Sequence, residues 1–92
     1  MSGYRVELTR RAQKQLNSTD RKAALLITRY IDKNLAGCED PRTVPGAKKL
    51  QGVDNGWRWR IGTYRILGTI DEDRIVIEIF KIGHRREAYR NL

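Results

Sequence analysis

The sequence is poor in the residues that staple or charge small folds: one cysteine, one histidine and two prolines among 92 residues. A lone Cys38 excludes an internal disulfide framework and any multi-cysteine zinc site. A lone His84 leaves no histidine–cysteine metal constellation. Long apolar runs are also missing. Nothing approaches the ~18 residues of a membrane helix, and Met1–Arg5 does not read as a secretory signal. The expected setting is a soluble, reducing cytoplasm, with no membrane partner and no metal or other cofactor. There are no repeats, low-complexity tracts or linker-like segments. Residues 1–92 are therefore expected to form one domain, its 39% of hydrophobic residues giving a core just large enough to fold unaided.

Acidic residues are the minority, eleven against nineteen Lys and Arg, for a net charge of +8. The excess is segregated. Residues 42–65 hold Arg42, Lys48, Lys49, Arg58, Arg60 and Arg65 against Asp54 alone. Residues 81–92 hold Lys81, Arg85, Arg86 and Arg90 against Glu87. The remaining 56 residues are neutral. Basic residues that only solubilised the chain would be scattered more evenly, whereas two basic blocks are what a polyanion-binding site requires. Arg10, Arg11, Lys14, Arg21 and Lys22 lie in the balanced part and add nothing to this excess.

The pattern predicts an α+β fold. Tyr4–Leu8 alternates as a short strand. Thr9 caps a short helix carrying Ala12 and Leu16, and Thr19 or Asp20 caps a second helix running to about Leu35. Ala23, Ala24, Ile27, Tyr30, Ile31 and Leu35 make its buried stripe, and Gly37 ends it. Residues 38–56, with Pro41, Pro45, Gly46, Gly52 and Gly56, read as a long irregular connection. Trp57–Ile61 and Tyr64–Asp71 flank Gly62-Thr63, a two-residue hairpin signal suited to a type II′ turn. Arg74–Ile82 is β-branched and apolar enough for a central strand covered on both faces. Gly83 then breaks it, and Arg86–Leu92 forms a final helical turn. The expected order is β-α-α-β-β-β with a short helical tail: a small antiparallel-rich sheet packed against an N-terminal helical hairpin.

The strand period of two puts Trp57, Trp59 and Ile61 on one face and Arg58 and Arg60 on the other. The two guanidiniums then stand about 6–7 Å apart, a spacing that suits adjacent phosphate oxygens. Without an anion they would repel. Arg65, just past the hairpin turn, is expected near Arg60 across the ladder. If the last strand pairs beside Tyr64–Asp71, its exit brings His84, Arg85 and Tyr89 to the same basin. A solitary terminal tyrosine is more often a packing residue, and a solitary histidine more often a surface or hydrogen-bonding one.

Lys48-Lys49-Leu50-Gln51-Gly52, Trp57-Arg58-Trp59-Arg60-Ile61, Tyr64-Arg65-Ile66 and Ile82-Gly83-His84-Arg85-Arg86-Glu87-Ala88-Tyr89-Arg90 together resemble the RelE/ParE toxin superfamily of type II toxin–antitoxin systems. The terminal His-Arg…Tyr set favours its RelE-like branch. That resemblance implies a ribosome-dependent mRNA endoribonuclease working without metal, in which the ribose 2′-hydroxyl attacks the adjacent phosphate. Arg58 and Arg60 match two basic positions of the active strand, which are lysines in the best-known member. Arg65 matches an arginine on the scissile phosphate, Arg85 one that stabilises charge and assists the leaving group, and Tyr89 a tyrosine that stacks on or activates the attacking nucleotide. Arginine is a poor general base, so His84, with a reference pKa near ~6.5, is the better proton acceptor and Tyr89 the second. Arg42, Lys48, Lys49, Arg86 and Arg90 are expected to contact RNA without reading its sequence. The resemblance also implies a cognate RelB-like antitoxin, the ribosome and mRNA as partners, and operator DNA only through the antitoxin complex. Two alternatives are a ParE-like gyrase inhibitor and a noncatalytic nucleic-acid-binding domain.

Overall fold

The structure, a computed structural model, describes residues 3–90. Strand β1 (Arg5–Leu8) leads into helix α1 (Arg10–Ser18) and helix α2 (Arg21–Tyr30). Strands β2 (Ala47–Lys49), β3 (Gly56–Ile61), β4 (Tyr64–Asp71) and β5 (Val76–His84) follow, and a 3-10 turn over Arg85–Tyr89 closes the described chain. Among the described residues no helix is long and apolar enough to cross a membrane.

Local chemistry sets the helix boundaries. The Thr9 hydroxyl accepts from the Ala12 amide at 3.1 Å and starts α1. Thr19 is extended and ends α1, while the Asp20 carboxylate accepts from the Ala23 amide at 3.2 Å and starts α2. Asp20 is thus the cap of the second helix and Thr19 the stop of the first. The helix does not run unbroken to Leu35. After Tyr30 it widens into one π-helical turn, Ile31–Leu35, in which the Ala36 amide bonds the Ile31 carbonyl five residues back at 2.8 Å.

The five strands form one sheet in the order β1-β5-β4-β3-β2. β1 runs parallel to β5 and the other pairs are antiparallel. Gly62, at φ +58°, opens the two-residue turn between β3 and β4, a conformation glycine adopts without strain. Residues 38–56 are less irregular than expected. They contain a 3-10 turn at Pro41–Thr43 and the short edge strand β2, whose two lysines suit an edge that must not recruit further strands.

β5 starts two residues later than the sequence predicts, because Ile75 sits at φ +57° in the turn before it. It also ends later. Gly83 stays in the strand, facing Arg65, and the strand continues to His84. A Cβ there would stand 3.3 Å from the Ala88 Cα, a tight contact, so glycine lets the terminal turn lie close on the sheet without displacing Ala88. Of the expected Arg86–Leu92 turn, Asn91 and Leu92 lie outside the described residues.

The main core lies between the helices and one face of the sheet. Ala12, Ile27, Ile31 and Leu35 meet Trp59, Ile66, Ile70, Ile77, Ile79 and Ile82. Trp59 is fully buried and its indole N–H donates to the Pro41 carbonyl at 3.0 Å. A bulge opposite Leu67 and Gly68 inserts Phe80 as an extra residue in β5. Phe80 therefore packs on the other face, where Leu67, Leu50 and Ala88 form a second small cluster.

Candidate nucleic-acid interface

Strand registers define the site. Lys48, Arg58, Leu67 and Lys81 lie in one cross-strand row. Arg60, Arg65 and Gly83 lie in a second, with Arg60 directly opposite Arg65. Between them runs the row Trp59, Ile66 and Ile82, whose side chains belong to the helix-side core. Alternation along each strand therefore turns both basic rows to the opposite face. Lys48, Arg58, Arg60, Arg65 and Lys81 share that face, and the turn carrying Arg85 and Tyr89 folds over it.

Like charges paired directly across a ladder destabilise it. Acidic side chains do not relieve this. Among the described residues, carboxylates within 4.0 Å reach Arg5, Arg42 and Arg74 only. Backbone carbonyls take up part of the load. The Arg58 guanidinium donates to the Gly46 carbonyl at 2.8 Å, and that of Arg65 to Gly62 at 3.1 Å and Tyr64 at 3.0 Å. A guanidinium has five N–H donors, so both retain donors for an anion. Arg60 is exposed and makes no side-chain hydrogen bond to a described residue.

In the sequence Lys81 reads only as one charge of the terminal block. It is buried beneath the terminal turn, and its ammonium donates to the Arg90 carbonyl. Burial, reinforced by Arg11, pulls its pKa below the ordinary lysine value. The signal in the sequence was a lysine inside an apolar strand, which the bulge at Phe80 turns to the basic face. Tyr30, whose hydroxyl donates to the Pro45 carbonyl at 2.8 Å, has its pKa raised by burial, with Arg58 opposing.

The remaining expected site residues divide. Lys48 joins the basic face opposite Arg58, while Lys49 pairs with Trp57 and alternates to the helix side. Arg42 is committed elsewhere: its guanidinium pairs with Asp40 at 3.0 Å and with Glu72. Those hydrogen bonds raise its pKa against the lowering effect of burial. The Arg85 amide donates to the Thr63 carbonyl at 2.6 Å, tying the terminal turn to the β3–β4 hairpin. Arg85, Arg86 and Arg90 are exposed, and Tyr89 is 39% exposed.

His84 lies elsewhere. It pairs with Tyr64, one row beyond Arg65 and Gly83, and so alternates to the helix side of the sheet. Its ring meets the Tyr64 ring edge-on, with centroids 5.1 Å apart and planes at 88°. The expectation that His84 and the arginines share one basin is not met.

Residues 6–89 match the sequence model of the ParE toxin of type II toxin–antitoxin systems, parDE. No curated protein sequence matches. The fold is similar to the RelBE2 toxin–antitoxin complex of Mycobacterium tuberculosis, with a TM-score of 0.78 and 24% identity over 92% of this chain and 94% of that one. It is similar to a double-arginine mutant of the Escherichia coli toxin RelE in the free state, with a TM-score of 0.73 and 16% identity over 94% and 87% of the two chains. The archaeal RelE–RelB complex of Pyrococcus horikoshii matches at a TM-score of 0.67 and 23% identity, over 92% and 98%. With the family's sequence model covering nearly the whole chain and the five-stranded sheet matching RelE toxins, the protein belongs to the RelE/ParE superfamily as a toxin of a type II toxin–antitoxin system.

Proposed function

We propose that this toxin is a ribosome-dependent mRNA endoribonuclease that arrests translation in the cytoplasm. The observation that carries the reading is the Arg60–Arg65 register pair, set on a face with Arg58, Lys48 and Lys81 and left without carboxylate partners among the described residues. A phosphodiester supplies the counter-charge this face lacks. Arginine forks hold its non-bridging oxygens, and their charge grows in value as the crowded phosphorane forms.

In the proposed reaction the ribose 2′-hydroxyl attacks the adjacent phosphorus and the bond to the 5′-oxygen breaks. A cyclic phosphate and a free 5′-hydroxyl result. The attacking hydroxyl loses its proton to the Tyr89 phenolate, and the departing 5′-oxygen takes one from water. Arg60 and Arg65 hold the phosphate, Arg58 orders the strand that carries Arg60, and Arg85 faces the leaving group. Tyr89 accepts the proton, since its turn lies over the basic face while His84 does not. A phenol gives little phenolate at neutral pH, and the ribosome compensates by orienting the message. No metal enters this scheme. Lys48, Arg86 and Arg90 add affinity for ribosomal RNA. A RelB-like antitoxin, as in the RelB–RelE complexes that share the fold, is the partner that silences the toxin, and operator DNA is reached through it.

The decisive experiment is translation in vitro with primer extension on the message. Cuts within translated codons that need ribosomes support the reading. The family model favours a second reading, inhibition of a topoisomerase without RNA cleavage, and His84's separation from the arginine rows agrees with it. Intact message together with stalled topoisomerase would establish that alternative.

A further inference from the structure

Away from the arginine face, a cavity of about 820 Å³ lies between α1 and the ends of β4 and β5. Arg10, Arg11 and Lys14 line one wall, and Tyr64, Gly83 and His84 the other. Arg10 and Lys14 are four residues apart and so share one face of α1. All three cations are exposed, and none has a carboxylate within 4.0 Å among the described residues. Two acids also line the cavity, Asp20 and Glu87, but the Asp20 carboxylate is committed to capping α2.

The opposite wall is aromatic, with His84 and Tyr64 packed edge to face. It also carries a strand edge. The Ile82 amide points away from β4 and donates to the Gln15 side chain at 2.8 Å. By the alternation of an antiparallel ladder, the next outward amide is that of His84. The cavity lies on the helix side of the strand ends, around the edge of the sheet from the arginine rows: Gly83, the register partner of Arg65, and Tyr64, its chain neighbour, both line it.

We propose that this cavity is a second RNA subsite, which takes the single-stranded segment leaving the arginine face. Arg10, Arg11 and Lys14 neutralise its phosphates, and a base stacks on the Tyr64–His84 pair. Cations facing an aromatic platform are how proteins hold single-stranded RNA, and they favour RNA over an acidic peptide, which has no base to stack. The inference rests on the reading of the arginine face as the cleavage site.

The test uses two uncleavable 2′-O-methyl ribo-oligonucleotides, one of about 4 and one of about 12 nucleotides, with binding followed by fluorescence anisotropy across a salt series. Exchanging both cations, Arg10→Ala with Lys14→Ala, should weaken the long probe about tenfold and the short probe far less. It should also flatten the salt slope for the long probe by roughly 1.4, for two lost phosphate contacts. Arg65→Ala should weaken both probes. An equal or absent effect of the double variant on both probes would overturn the subsite and leave the arginine-face reading standing. Wild-type protein that bound neither probe would overturn the subsite, while the arginine-face reading stands or falls separately on ribosome-dependent cuts in primer extension. A defect confined to binding of an acidic antitoxin segment would reassign the cavity and overturn the RNA subsite.

Discussion

At the scale of single residues, the arginines divide by what already holds them. Arg42 is paired with Asp40 and Glu72, whereas Arg65, among the described residues, has only carbonyl acceptors from its own turn. Arg65→Ala should therefore lower the rate of message cleavage at least ~100-fold, the usual cost of one donor to a developing oxyanion. Arg42→Ala should change it less than about threefold; primer extension reads both. Lys81 supplies a pH test. Its folded pKa lies below the ordinary value because of burial and Arg11, so the unfolded chain binds more protons in the window beneath ~10.4. Stability should therefore rise with pH through that window, and thermal melts of Lys81→Met should lack that rise relative to wild type. The period of two in Trp57–Ile61 made the arginine face legible from the sequence. The side on which His84 lies was not, because it depends on how many residues β5 contains before it. One bulge at Phe80 and two more residues of strand decide that.

At the scale of elements, the helices and the β3–β4 hairpin could be read in advance because their signals are local: caps at Thr9 and Asp20, a glycine-first turn at Gly62. β2 could not, since three residues carry no period and the strand exists only because β3 lies beside it. Two turns make predictions. Ile75 is β-branched yet left-handed, a conformation that costs about 1–2 kcal/mol. Ile75→Asn should raise the unfolding free energy by ~1 kcal/mol in urea titration. Gly83 lies under Ala88, where even a Cβ would stand only 3.3 Å from the Ala88 Cα. Gly83→Val should lift the terminal turn, so hydrogen exchange at 85–90 accelerates while amides of β3 and β4 stay protected.

At the scale of the whole molecule, a charge of +8 is concentrated by folding. Two basic blocks far apart in the chain meet because β5 pairs with β4 and the terminal turn doubles back over them. The segregation was visible in the sequence, but the convergence required the register. The central claim is that the face built by Arg60 and Arg65 cuts message inside the ribosome. The most direct measurement is primer extension on message from a cell-free translation reaction, comparing wild type with soluble Arg65→Ala, with and without ribosomes. The account predicts cuts within translated codons for wild type with ribosomes, and none in the other three conditions. Equal cutting by both proteins, or intact message with wild type present, would contradict it.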